Sequence, residues 1–494
     1  MDSKLNICLM NDSFPPVIDG VANTVFNYAD IIQKGLGNAI VATPEYPGVE
    51  DNYDFDIVRY KSFDTTGIFG YRAGYPFAPS TVGKLDEKNI DIIHSHCPAV
   101  STVLARMLRE KVSAPIIFTY HTKFDIDIRK AIESNLLQDT MIKLLVKNVE
   151  ACDDVWVVSE GAGENLKSLG YKGDYIVMEN GVDFPKGRAD EKSVNQINEV
   201  LGINDDAPVF LFVGRLMWYK GMKLILDALR VVKEKGEKFH MVIVGDGADG
   251  KDIQQYSDEI GLSDYCIFTG AVQDREVLRA YYTRADMFLF VSTYDTNGIV
   301  VREAAACGLG SVLIKGSCAA EKIVHERNGY LIDETEESLA DAVLRLIHNV
   351  GLAHEIGNNA MNEIYIPWEK SVNTAYERYE YVLSKFRSPR YEPKFSFTDE
   401  ALSSIAGICE ALHKAEKFRE IITTGFMEFS EIKAMERLER GIELGQDMLI
   451  MRPKSILIDK KEELKAGFAE KKSGFMEKQN EVKERLWHYL DRYL

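Results

Sequence analysis

The chain has 494 residues, 46% of them hydrophobic and 28% charged, with 14 prolines and a formal net charge of −18. That much apolar residue fills more than one core and excludes disorder over most of the length. The acidic balance excludes a protein that works by neutralising nucleic-acid phosphates, so nucleic acid is not an expected partner.

Met-Asp-Ser-Lys runs directly into the strand-like Leu5–Met10 with no signal-peptide pattern, and no apolar run reaches the roughly 18 residues of a membrane span. Further apolar runs follow at Ala39–Thr43, Ile90–His94, Pro115–Tyr120, Asp154–Ser159 and Tyr175–Glu179, with helical patterns such as Ala99–Lys111 and Gln138–Ala151 between them. Continuous apolar runs alternating with amphipathic helices predict parallel strands covered on both faces, a doubly wound α/β domain over 1–185. The segment 186–206, with Gly187, Gly202 and many charges, reads as an interdomain connection holding a short helix. The alternation then restarts over 207–366. Strands are predicted at Pro208–Val213, His240–Val244, Cys266–Thr269, Met287–Val291, Ser311–Ile314 and Tyr330–Ile332, and helices at Met222–Lys235, Asp274–Arg284 and Ile299–Cys307. One long helix is predicted over Trp368–Phe386, within 367–387, ended by Ser388-Pro389-Arg390. The remainder, 388–494, reads as a mainly helical extension of unassigned role. Cys8, Cys97, Cys152, Cys266, Cys307, Cys318 and Cys409 form no C-x-x-C, which points to a reducing compartment and to neither disulfides nor zinc. The expected location is the cytoplasm, with attachment to the inner face of the membrane an open alternative.

Three glycine-bearing turns follow predicted strands, where α/β sheets bind ligands. They are Asn11–Asn23 with Asp19-Gly20-Val21, Gly214-Arg215 through Lys220-Gly221, and Gly245-Asp246-Gly247. None is a G-x-G-x-x-G or Walker pattern. Arg215 and Lys220 stand before a helix, where dipole, amides and cations would together hold a diphosphate; two solvated surface cations fit the same spacing. Asp295 and Glu303 are eight apart around Gly298. Either the pair faces a ligand, with Glu303 reaching ribose hydroxyls, or Asp295 is an N-cap and Glu303 an exposed helix residue. His121 lies at a strand's C-terminal edge. His94 and His96 lack the clustered carboxylates or thiolates of a metal site, and no metal is expected.

Taken in order, these features resemble glycosyltransferase family four, the retaining nucleotide-sugar transferases of the GT-B fold. The resemblance runs over almost all of residues 4–386. It rests on Phe14-Pro15-Pro16 with Gly20-Val21, His121-Thr122, Ser159-Glu160, Asn180-Gly181-Val182-Asp183, Gly214-Arg215 to Lys220-Gly221, Val244-Gly245-Asp246-Gly247, the Asp295 and Glu303 pair, and Pro367-Trp368-Glu369. It implies two Rossmann-like domains facing a cleft, with 1–185 on the acceptor side, 207–366 on the nucleotide-sugar side, and 367–387 crossing back to the first domain. It further implies catalytic or donor-binding roles. Arg215 and Lys220 would hold the diphosphate, with Gly20, Gly214 and Gly245 as close-approach positions. Glu303 would hold ribose, and Asp295 with Asn297, Gly298 and Ile299 the donor sugar. His121 would sit near the sugar's C6 hydroxyl. Leaving-group stabilisation by the two cations would replace a metal, so no cofactor is expected. The domains would close over the donor, burying the diphosphate between Gly20 and Arg215.

Asp295 stands where the family usually carries Glu, and Asn297 where many relatives carry phenylalanine. Asp295-Thr296-Asn297-Gly298 is similar to the Glu-Thr-Gln-Gly of diacylglycerol glucosyltransferases, and His121-Thr122-Lys123-Phe124-Asp125 to their acceptor-side segment. The implied reaction is transfer of glucose from UDP-glucose to diacylglycerol or a glycolipid, with Lys123 and Asp125 on the acceptor side. The alternatives are a GDP-mannose enzyme acting on phosphatidylinositol-type or soluble saccharide acceptors, and a non-catalytic sugar-binding or scaffold homologue. A peripheral membrane contact has two candidate segments: Met141–Lys147, which reads equally as a core helix, and the tail with Lys460-Lys461, Lys471-Lys472, Val482, Leu486, Trp487, Leu490 and Tyr493.

Overall fold

The computed structural model of the chain describes residues 4–17, 19–66, 72–77 and 79–392, together with Lys394 and Leu402. The extension read over 388–494, including its lysine pairs and its final amphipathic helix, therefore lies almost wholly outside the described residues.

The first sheet has seven strands: β1 (Asn6–Met10), β2 (Asn38–Pro44), β3 (Asp56–Tyr60), β4 (Ile92–Ser95), β5 (Ile116–Tyr120), β6 (Asp154–Val157) and β7 (Ile176–Val177). Their spatial order is β3-β2-β1-β4-β5-β6-β7, and every neighbouring pair is parallel. The second has six: β8 (Val209–Val213), β9 (His240–Val244), β10 (Cys266–Gly270), β11 (Met287–Phe290), β12 (Ser311–Ile314) and β13 (Tyr330–Ile332). Its order is β10-β9-β8-β11-β12-β13, again parallel throughout. Residues of β4, β5, β8 and β11 are buried without exception, as helices on both faces require. Two parallel sheets with flanking helices on one chain are the GT-B architecture.

Among the helices, α1 (Gly20–Ile31) follows β1, α2 (Phe124–Ala131) and α3 (Asn135–Glu150) follow β5, and α4 (Glu160–Ser168) follows β6. Next come α5 (Glu191–Leu201), α6 (Met222–Glu234) after β8, α7 (Arg275–Arg284) after β10, α8 (Ile299–Ala306) after β11, and α9 (Trp368–Phe386). Strand β3 was not anticipated; its Asp-Ile-Val-Arg-Tyr carries two charges and forms an edge of the sheet.

The stretch read as a connection is not an exposed tether. Asp190 caps α5 by accepting from the Ser193 amide, and Gly202 ends it in a left-handed conformation. Val182, Phe184, Ile197 and Ile203 bury with Val209, Leu211 and Tyr282 in a core beneath the second sheet. Helix α9 returns to the first sheet, where Trp368, Val372, Ala375 and Tyr379 pack with Ile7, Leu9, Tyr28 and Trp156. Each such buried side chain contributes about 2 kcal/mol of apolar burial, which fixes the helix by one face.

Both sheets reverse their strand order beside the first strand, between β1 and β4 and between β8 and β11. Loops leaving the carboxyl ends of those strands splay apart there and open a crevice. Candidate site residues after β1, β8 and β11 lie on such edges, and His121 follows β5, one strand beyond β4.

Candidate active site

The loop after β8 ends in a single tight turn, Trp218–Lys220, and Gly221 follows with φ 81° at the start of α6. A Cβ at Gly221 would stand 2.5 Å from the Val291 carbonyl oxygen, so only glycine lets this loop lie against the end of β11. That contact brings Lys220 to Asp295: Lys220 Nζ donates to Asp295 Oδ1 at 2.5 Å. The ammonium is flanked by the rings of Tyr219 and Tyr294, at 5.7 and 5.6 Å from their centroids. Only 12% of the Lys220 side chain is exposed, which rules out the solvated-cation reading for this residue. Arg215 matches that reading in part, being exposed on the same loop.

Asp295 is not an N-cap. The cap of α8 is Gly298, which makes no side-chain bond, and the second carboxylate oxygen of Asp295, Oδ2, is buried without a partner. The carboxylate is paired with Lys220 instead, and the first α8 amides have no capping side chain.

Glu303 is buried, not an exposed helix residue. Its Oε1 accepts from Arg275 Nη2 at 2.7 Å and its Oε2 from the Tyr282 hydroxyl at 2.9 Å. The same Arg275 nitrogen bonds Asp183, and its guanidinium lies 4.1 Å from the Phe184 ring centroid. Burial, with the Glu303 charge beside it, holds the Tyr282 phenol protonated well above its usual range. Each Glu303 oxygen thus keeps one lone pair for a further donor.

Gly245 has a packing reason of its own. Its φ is 144°, and a Cβ there would come within 1.9 Å of the Gly214 carbonyl oxygen. Gly214 in turn donates to the Val244 carbonyl at 3.0 Å. These two glycines bring the loops after β8 and β9 together.

From the first half, Gly20 opens α1, and the Asp19 carboxylate caps it by accepting from the Val21 and Ala22 amides. A Cβ at Gly20 would lie 4.0 Å from Ile299 Cδ1, so α1 and α8 face each other at their amino ends. His121 is buried, its Nε2 lies 2.9 Å from His96 Nδ1, and burial pulls its pKa down to about 3. His94 bonds the Tyr379 hydroxyl and Thr119 Oγ1 at 2.6 and 2.7 Å. His96 and His121 stack and share a hydrogen bond, with His94 packed against His96 at 4.0 Å, and among the described residues no three His, Cys, Asp or Glu side chains converge as a metal site requires.

Several predicted residues bridge the halves. Lys123 Nζ donates to the Thr293 carbonyl at 3.1 Å, and Asn297 Nδ2 to the Val158 carbonyl at 2.6 Å. Asn297 was expected on the donor sugar, but its amide nitrogen is engaged with the first half and its Oδ1 is buried without a partner. Asp125 is half-buried on α2 with Oδ1 unpartnered. Of the rest of this seam, the sequence motifs marked Ser159-Glu160 and Thr296 but not their partners. Thr296 Oγ1 bonds the His121 carbonyl, and the Thr296 carbonyl accepts from Ser159 Oγ. Glu321 caps α4 from the second half through the Glu160 and Gly161 amides, and Glu179 pairs with both Arg302 and Lys322.

Two family models match this chain, Glycosyltransferase Family 4 over residues 18–185 and Glycosyl transferases group 1 over residues 193–363. The chain belongs to glycosyltransferase family 4. It is similar to the alpha-monoglucosyldiacylglycerol synthase of Streptococcus pneumoniae, 24% identical over 69% of this chain and 78% of that one. It is similar also to the enzyme of the same name from Acholeplasma laidlawii, 22% identical over 72% of this chain and 92% of that one. Among solved structures, sucrose-phosphate synthase from Thermosynechococcus elongatus superposes with a TM-score of 0.64, at 20% identity, over 77% of this chain and all of that one; the likeness is one of GT-B fold.

Proposed function

We propose that this glycosyltransferase moves a hexose from a nucleoside-diphosphate donor, with retention of configuration, to a membrane-lipid acceptor, and that the pair is UDP-glucose and diacylglycerol or a related glycolipid. The observation that carries the reading is the Lys220–Asp295 pair. A cation and a carboxylate with one unpartnered buried oxygen stand together at the switch point, beside the uncapped start of α8. Lys220 and Arg215 would take the charge that develops on the departing diphosphate, the device that dominates when a leaving group is an oxyanion. Asp295 and the α8 amides would hold sugar hydroxyls, and the remaining lone pairs of Glu303 would accept from the ribose. The two cations, in this reading, do without a metal.

Support for a lipid acceptor comes from two directions. The two relatives above are named for a glucosyldiacylglycerol product. Helix α3 buries Ile142, Val146 and Val149 but exposes Leu137, Met141 and Leu144, spaced four and three apart on its outer face, with exposed Lys143 and Lys147 alongside. Core helix and interfacial helix are thus two faces of one element. An apolar strip edged by lysines suits the boundary of an anionic bilayer, and α3 packs on α2, which begins three residues after His121. Among the described residues no helix is long and apolar enough to cross a membrane.

Titration calorimetry with UDP and GDP tests the donor half of this reading. Tighter binding of UDP, weakened by Lys220→Ala and Glu303→Gln, is expected. A protein that binds neither nucleotide, or binds both unchanged in these variants, does not use this site for a donor.

A further inference from the structure

His96 belongs to none of the roles assigned above, yet its ring bonds the ring of His121. The ring is 3% exposed, stacked 5.2 Å from His121 at 20° and 4.0 Å from His94. Its Nδ1 meets His121 Nε2 at 2.9 Å, and its own Nε2 is buried with no partner. His121 Nδ1 has no partner among the described residues and is not among the buried unpartnered atoms, so it is the ring nitrogen that reaches solvent, at the seam where Thr296 of the second half bonds the His121 carbonyl.

Burial keeps both rings neutral, because each is held well below the ordinary histidine range. Two neutral imidazoles sharing one hydrogen bond have two arrangements. If His121 Nε2 carries the proton, His96 Nε2 must carry one too, leaving a buried N–H with nothing to donate to. If His96 Nδ1 carries the proton, only a bare lone pair is left at His96 Nε2. Orphaned donors are the rarer and costlier of the two in protein interiors.

We propose that His96 is a positioning residue that donates from Nδ1 to His121 Nε2 and thereby fixes His121 as the Nδ1–H tautomer, a hydrogen-bond donor aimed at the cleft. His121 then recognises a hydroxyl oxygen and is neither its base nor a proton acceptor. The inference rests on the reading of the cleft as a hexose site, and its test separates the two.

The test has two parts on the full chain. Long-range proton–nitrogen correlation on histidine-labelled protein, with His121 assigned from its loss in His121→Gln, reads the tautomer directly, without substrate. A protonated Nδ1 and bare Nε2 are expected; the reverse overturns the proposal. Steady-state turnover is then compared for His96→Leu and His96→Asn, since the asparagine amide nitrogen overlies Nδ1 and can still donate. His96→Leu should lose about tenfold in kcat/KM, the scale of one lost hydrogen bond, with UDP affinity unchanged. His96→Asn should recover most of that loss. Equal loss in both variants, or none in His96→Leu, contradicts the assignment. Wild-type protein silent with every donor would count against the transferase reading, while the tautomer measurement still decides the role of His96.

Discussion

Lys220 Nζ lies 2.5 Å from Asp295 Oδ1, an ion pair formed across the switch point of the second sheet by loops 75 residues apart. The bond engages one of the two Asp295 oxygens and leaves Oδ2 buried without a partner. On the proposed reading, a diphosphate arriving at Lys220 would compete for the ammonium and release a carboxylate oxygen toward the sugar. Lys220→Ala should therefore lower kcat by roughly 10²–10³, the usual cost of removing one preorganised stabiliser of leaving-group charge. Asp295→Asn should cost about tenfold or more in kcat while leaving UDP affinity within a few-fold. Steady-state kinetics beside calorimetry distinguish the two patterns.

Glu303, the residue proposed to accept from the ribose, is held by Arg275 and Tyr282. Tyr282→Phe removes one of those bonds and leaves a buried carboxylate oxygen short of a donor, so nucleotide affinity should fall about three- to tenfold. The Arg275 side chain is 41% exposed but its partner Glu303 is only 9% exposed, so Arg275→Ala leaves a buried carboxylate oxygen short of its donor and should cost about 1–3 kcal/mol of stability. Calorimetry with UDP and a urea titration of each variant read these effects.

Acid should destabilise this fold through its buried histidines. His94, His96 and His121 are held below the ordinary value of 6.5 chiefly by burial, His121 at about 3. A histidine whose folded pKa is depressed takes up its proton first in the unfolded chain. Its contribution is therefore level above 6.5, falls as pH drops below that value, and levels again only where the folded ring titrates. Each ring adds a slope of about 1.4 kcal/mol per pH unit in that window. Melting temperatures at pH 7, 6 and 5 should fall progressively, and His96→Asn should flatten the fall by about one ring's share.

The seam between the halves carries a different pH signature. Burial pushes Glu179 up, but the Arg302 and Lys322 cations outweigh it and hold the carboxyl below its ordinary 4.5. A carboxylate with a depressed folded pKa gives its full contribution above 4.5 and loses it as pH falls through the folded value. Small-angle scattering should show the radius of gyration growing as pH falls well below 4.5 and, in Glu179→Gln, already larger at pH 7. An unchanged radius in that variant means that the other bridges, such as Glu321 on α4, suffice.

Much of the fold was legible in the sequence because parallel strands covered on both faces leave continuous apolar runs. Val209–Val213 and Met287–Phe290 stand out in that way. Asp56–Tyr60 did not, because an edge strand with a charge on either side of Ile-Val lacks that signature. For the site, glycines and charges after strands marked Lys220, Asp295 and Glu303. Their partners were invisible to spacing, since Arg275 and Tyr282 reach Glu303 from 28 and 21 residues away and Thr296 reaches His121 from 175. The engagement of Asn297 with Val158 belongs to the same class: its side chain is committed by the other half of the chain, which no local pattern records.

The strip on α3 makes a separable prediction. Leu137→Asp with Leu144→Asp should abolish co-sedimentation with vesicles containing anionic phospholipid, while the melting temperature moves little, since both side chains are more than half exposed. Undiminished vesicle binding would remove α3 as the docking face.

The central claim, a lipid-directed hexosyl transfer at the Lys220–Asp295 cleft, is tested most directly by nucleoside-diphosphate release. The donors are UDP-glucose, UDP-galactose, UDP-N-acetylglucosamine and GDP-mannose, each with and without diacylglycerol vesicles. Release that requires both UDP-glucose and the vesicles, and that Lys220→Ala abolishes, is the predicted result. Release with GDP-mannose alone, or turnover indifferent to vesicles, would contradict the donor or the acceptor. Silence with every donor, in a protein that still binds UDP, would contradict the transferase itself and leave a sugar-nucleotide binder in its place.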